Sequence, residues 1–159
     1  MGAIMEIPND VKAVAYPITQ LLQDGKQRFP LEKILKMYAE LLAKEFDGET
    51  LIKCVNSQNE EIMQNYEMII LIIIFLERVQ FIKNSKRPDK SHSIKHAVEH
   101  WIRSDENFEL DRKYVNRDLV VFASKILGLK YKIFSYGEFG LYISKKCKFY
   151  NYYSDYQNF

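Results

Sequence analysis

The sequence predicts an α+β fold, mostly α, in which a helical bundle leads into a C-terminal unit built on a β-hairpin or three-stranded meander. Three observations predict it. Apolar residues recur at helical spacing through most of the first 127 positions. An amphipathic stretch at 112–127 then sets Val115, Leu119, Phe122 and Ile126 on one side and stops at Gly128. Three short runs rich in aromatic residues follow, at 130–135, 139–144 and 147–152, with the composition and spacing of strands.

The 159 residues, 47% hydrophobic and 28% charged, are enough for one packed domain or two very small ones sharing an interface, and they exclude disorder of the whole chain. The expected division is an N-terminal helical layer over 1–57 and a second unit over 58–159, with one continuous domain as the alternative.

Pro8, Asn9 and Asp10 open a helical pattern with Val11, Val14, Ile18, Leu21 and Leu22 on one side, and Pro17 predicts a kink or break near Tyr16. Asp24 and Gly25 are expected to end it. Pro30 takes a first-turn position, and Leu31, Ile34, Leu35, Tyr38, Leu41 and Leu42 then define an amphipathic helix that stops at Asp47–Gly48. A turn or short strand is expected at 51–55. Asn59 is expected to cap a long helix reaching about Ile82, with Glu60 and Glu61 in its first turn where the helix dipole favours acids. Its middle, 68–76, is apolar on every face and so calls for cover on all sides. The polar, basic, Pro88-broken stretch 83–91 reads as a linker. A helix at 92–103 turns Ile94, Ala97, Val98 and Trp101 inward, and Asp111 is positioned to cap the helix at 112–127. Three helices (59–82, 92–103, 112–127) followed by a hairpin is the order of a winged helix, so 58–159 is expected to be winged-helix-like.

The net charge of +2 conceals an asymmetry. Residues 1–82 carry 8 Lys and Arg against 12 Asp and Glu, whereas 83–159 carry 15 against 9. A basic C-terminal half points to an anionic partner, nucleic acid or an acidic protein face. Cys54 and Cys147 have neither CxxC nor metal-ligand spacing, which predicts free thiols in a reducing compartment. The first residues show no signal-peptide pattern, so the expected location is intracellular, nucleus or cytoplasm. The nine apolar residues at 68–76 are too few to span a bilayer, which takes about 20 in a helix.

Catalytic signatures are absent from the sequence. No G-x-S-x-G elbow, G-x-x-x-x-G-K-[ST] or G-x-G-x-x-G occurs. His92, His96 and His100 fall on one side of their helix, opposite Ile94, Val98 and Trp101, and residues 96–100 read H-x-x-E-H, a pattern of some zinc peptidases. No further acidic ligand follows in a helical context, so the stripe is expected to be a solvated face, with no metal and no cofactor bound.

The remaining candidates are cationic. On the helix at 112–127, Lys113, Asn116, Arg117, Val120 and Ser124 lie opposite the core side, and Lys, Asn and Arg are types that contact phosphates and base edges. On the ribbon, Lys130, Lys132, Lys145, Lys146 and Lys148 interleave with Tyr131, Phe134, Phe139, Tyr142, Phe149 and Tyr150, a pattern that grips a backbone and stacks bases. In the tail, Tyr150 and Tyr152 are expected to fold back over the sheet, and Tyr153, Tyr156 and Phe159 to meet a partner. The expectation is a non-enzymatic module of a nucleic-acid-handling assembly, with a protein partner and with Lys113, Asn116, Arg117, Lys130, Lys132, Lys145 and Lys146 on DNA or RNA. The alternative is a viral or regulatory interaction adaptor with a hydrophobic groove around the central apolar helix.

Overall fold

The computed structural model describes residues 17–83, 87–109 and 115–159. Among them the chain is mostly helical, with one small antiparallel sheet near the C-terminus. The elements are α1 (Ile18–Arg28), α2 (Leu31–Ala43), α3 (Gly48–Gln64), α4 (Tyr66–Glu77), β1 (Asp89–Lys90), α5 (Ser91–Arg103), α6 (Arg117–Ile126), β2 (Tyr131–Ile133), β3 (Phe139–Leu141) and α7 (Lys148–Ser154), closed by a 3-10 turn at Tyr156–Asn158.

The all-apolar segment becomes the axis of the protein. In α4 no side chain from 68 to 76 is more than 3% exposed. Helix α1 covers one side of it and α6 another, while α7 brings Phe149 and Tyr150 against Phe75, with Trp101 of α5 on the same ring. Burial of each such side chain contributes roughly 1.5–3 kcal/mol relative to exposure. One continuous apolar cluster runs from Ile18 to Tyr153.

Several local expectations are corrected. Gly25 does not end α1; it sits inside it, where a Cβ would lie 2.5 Å from Ile70 Cγ2 and 2.8 Å from Ile74 Cδ1, so the missing side chain lets α1 approach α4. Pro17 immediately precedes α1, and the pattern upstream of it lies outside the described residues. Asp105, distant in sequence, accepts a hydrogen bond from the Ile18 N–H at 2.9 Å and satisfies one of that helix's free donors. The expected turn or strand at 51–55 is part of α3. The expected helix over 59–82 is two helices. Asn65 breaks the ladder with φ −116° and ψ 18°, its side-chain amide donating to the Glu61 carbonyl at 2.9 Å, and the bend lets α4 turn inward while α3 stays largely wet.

At the C-terminal end the hairpin forms as β2 and β3, but 147–152 is not a strand. Phe149, Tyr150 and Tyr153 lie on one side of α7 and all three are buried. The third strand comes from the stretch read as a linker: Asp89 and Lys90 pair with Leu141 and Gly140, giving the order β1-β3-β2. Phe81 adds an isolated bridge to Ile143. No helix of the described residues is long and apolar enough to cross a membrane.

Candidate nucleic-acid interface

The sheet has two unlike faces, and strand register decides what each carries. On one face Phe139 and Leu141 are buried against the core; their cross-strand partners on β2, Ile133 and Tyr131, share that side but are exposed at the sheet edge, and Asp89 lies opposite Leu141 on β1. The Asp89 carboxyl is partly buried there, and burial raises its pKa against the lowering influence of Tyr150 and Lys145. The Tyr150 hydroxyl is buried without a hydrogen bond of standard geometry, although Asp89 lies within electrostatic reach; burial first, and that carboxylate next, push the phenol up.

The opposite face is cationic. Lys90, Gly140 and Lys132 form one cross-strand row, and Lys130 lies two residues before Lys132. With no side chain at Gly140, the Phe134 ring lies over the central strand; a Cβ on Gly140 would meet its Cε2 at 2.7 Å. The Lys90 and Lys132 ammoniums stand 5.7 and 5.3 Å from the centre of that ring, and Lys130 stands 5.3 Å from the Tyr142 ring. Lys130 also donates to the Lys83 carbonyl at 3.1 Å. Tyr136 stacks on Phe134 with centroids 5.6 Å apart and planes 17° from parallel, and Lys90 is 5.1 Å from its centre.

The expected residues therefore divide. Lys130 and Lys132 are brought together with Lys90, a residue that the sequence places in a linker and gives no site signal. Lys145 and Lys146 are exposed in the turn after β3. Arg117 is exposed, but its guanidinium pairs with Glu138 at 3.1 Å, and the same carboxylate accepts from Ser91 Oγ at 2.6 Å. That hydroxyl, with Arg117 assisting, holds the Glu138 carboxyl below the ordinary range. Asn116 serves as the α6 cap, its side-chain oxygen accepting from Asp118 N at 2.8 Å, which occupies the acceptor that base reading would use. Lys113 lies outside the described residues, and the helix expected over 112–127 begins only at Arg117, so Asn116 caps it in place of Asp111. Val120 and Ser124, expected to face outward, are fully buried because α6 is covered by α2, α4 and α5.

The histidine stripe is not a uniformly solvated face. His100 is buried: its Nδ1 lies 2.7 Å from the Tyr153 carbonyl, its ring stacks on Phe159 at 4.4 Å, and Tyr156 meets it edge-on. Glu99 is also buried and pairs with Arg103. His92 and His96 face each other, with Nε2 atoms 3.2 Å apart. Burial, ahead of the neighbouring histidines and lysine, lowers the His96 pKa. The H-x-x-E-H residues thus point to different partners, and no group of three or more His, Cys, Asp or Glu among the described residues is arranged to hold a metal. Tyr153, expected to meet a partner, is buried within the fold, whereas Tyr156 and Phe159 are exposed.

The central apolar helix offers no open groove of its own, since 68–76 is covered throughout. The depression at its N-terminal end mixes apolar Leu22, Met63 and Met68 with polar Gln23, Lys26 and Glu67. No protein-family model, curated protein or solved structure matches the chain, so its site is read from its own geometry.

Proposed function

We propose that the chain is a non-enzymatic, intracellular, winged-helix-like module that binds nucleic acid through its basic C-terminal unit while its more acidic N-terminal helices meet a protein partner. The observation that carries this reading is the outer face of the β1-β3-β2 sheet, where Lys90, Lys130 and Lys132 stand among aromatic rings. The element order α4-β1-α5-α6-β2-β3, with the first strand paired to the last, supports the winged-helix reading, in which β2–β3 would be the wing. Lys145 and Lys146 add exposed cations in the turn after β3, and Arg117 braces the wing through Glu138.

Fluorescence anisotropy with labelled DNA and RNA across a salt series tests the reading. Affinity falls with salt, and Lys130→Glu with Lys132→Glu lowers the slope of log K against log salt by about 0.7–0.9 for each phosphate contact removed. Absence of binding to any nucleic acid at low salt refutes it.

A further inference from the structure

We infer that the outer sheet face is a stacking site for single-stranded nucleic acid, with Tyr136 as the platform and Lys90 and Lys132 as phosphate contacts. This rests on the nucleic-acid reading above and narrows it. The site is built in tiers. Gly140 leaves a gap in the row Lys90–Gly140–Lys132, Phe134 occupies that gap, and Tyr136 stacks on Phe134. The lower ring is half-buried and the upper one is 62% exposed. A ring supported from below and open above receives another flat π system, and the flanking ammoniums supply charge complementarity to its backbone.

The same structure argues against duplex reading. In a duplex the base faces are stacked on each other, and sequence is read at groove edges, most often by a helix. Helix α6 has Val120 and Ser124 buried, Asn116 engaged as cap and Arg117 paired with Glu138. An acidic peptide would use the lysines but would gain nothing specific from the exposed ring.

The test uses the full chain, a labelled oligothymidylate, a duplex of equal phosphate number and polyglutamate. The single strand is expected to bind more tightly than the duplex. Tyr136→Ala weakens it by about 5- to 150-fold, the range for loss of one stacked base, and leaves duplex affinity within about twofold. Tyr136→Phe retains binding, and Tyr136→Trp gives emission that is quenched by the single strand. Tighter duplex binding, equal loss on both nucleic acids in Tyr136→Ala, no loss on either, or polyglutamate binding as tight as the oligonucleotide overturns the stacking site while leaving an electrostatic interface standing. Failure of the unaltered chain to bind any nucleic acid at low salt removes both.

Discussion

Replacing Gly25 by alanine tests how closely α1 and α4 meet. At a wetter position in a helix the change would gain up to about 1 kcal/mol, because glycine gives up more backbone freedom on folding. Here the new methyl would stand 2.5 Å from Ile70 Cγ2 and 2.8 Å from Ile74 Cδ1, against the roughly 3.5–4.0 Å at which carbon atoms pack. Both isoleucines are buried and branched at Cβ, which leaves them little rotamer freedom to yield. Helix α1 must therefore back away by about 1 Å, loosening Ile18, Leu21 and Leu22. Such overpacking costs about 1–3 kcal/mol, so the net change is a loss of about 1 kcal/mol. Urea unfolding followed by far-UV ellipticity reads it as a lowered midpoint. The same change made on an Ile70→Ala, Ile74→Val background, which removes both the Cγ2 and the Cδ1 that the methyl would meet, is expected to stabilise, giving a coupling of about 1–3 kcal/mol. A raised midpoint for Gly25→Ala in the otherwise unaltered chain would refute the packing argument.

Two further outcomes follow from the sheet. The Glu138 carboxylate has a folded pKa below its ordinary 4.5, so the folded state binds the proton less readily than the unfolded one. Its contribution is present above about pH 4.5 and fades as pH falls through the lower folded value; the stability gap to Glu138→Gln is expected to close over that window, and a gap unchanged with pH would count against the Ser91 and Arg117 contacts. Tyr150→Phe removes a buried hydroxyl whose interaction with the Asp89 carboxylate falls short of standard hydrogen-bond geometry, so stability is expected to change by less than about 1 kcal/mol in thermal unfolding. A loss above about 1 kcal/mol would mean that the Asp89 contact acts as a full hydrogen bond.

The helical layout was legible where apolar periodicity was strong, as at α2 and α5, because packing on one side of a helix leaves a 3.6-residue trace. The hairpin was legible from its turn residues and aromatic runs. What escaped detection depends on long-range partners. The run at 147–152 alternates well enough for a strand, yet Phe149, Tyr150 and Tyr153 are also spaced for a helix, and Phe75 below them decides the matter. Asp89 and Lys90 carry no strand pattern; they pair only because β3 offers them an edge. The outward assignment of Val120 and Ser124 assumed a helix covered on one side, whereas α6 is packed on several. Within the candidate site, Lys130 and Lys132 were visible from composition and strand spacing. Lys90 could be found only once the register placed it opposite Gly140.

The burial of 68–76 also shapes how the chain must be made and handled. Its cover comes from both ends of the sequence, from α1 on one side and from α6 and α7 on the other. During synthesis this greasy stretch leaves the ribosome before half of its coat exists, and until then it is a target for chaperones or for its own copies. Any shortened version lacking either flank presents a bare strip of isoleucine to water, so insolubility of a fragment would report on missing wrapping and carry no news about binding.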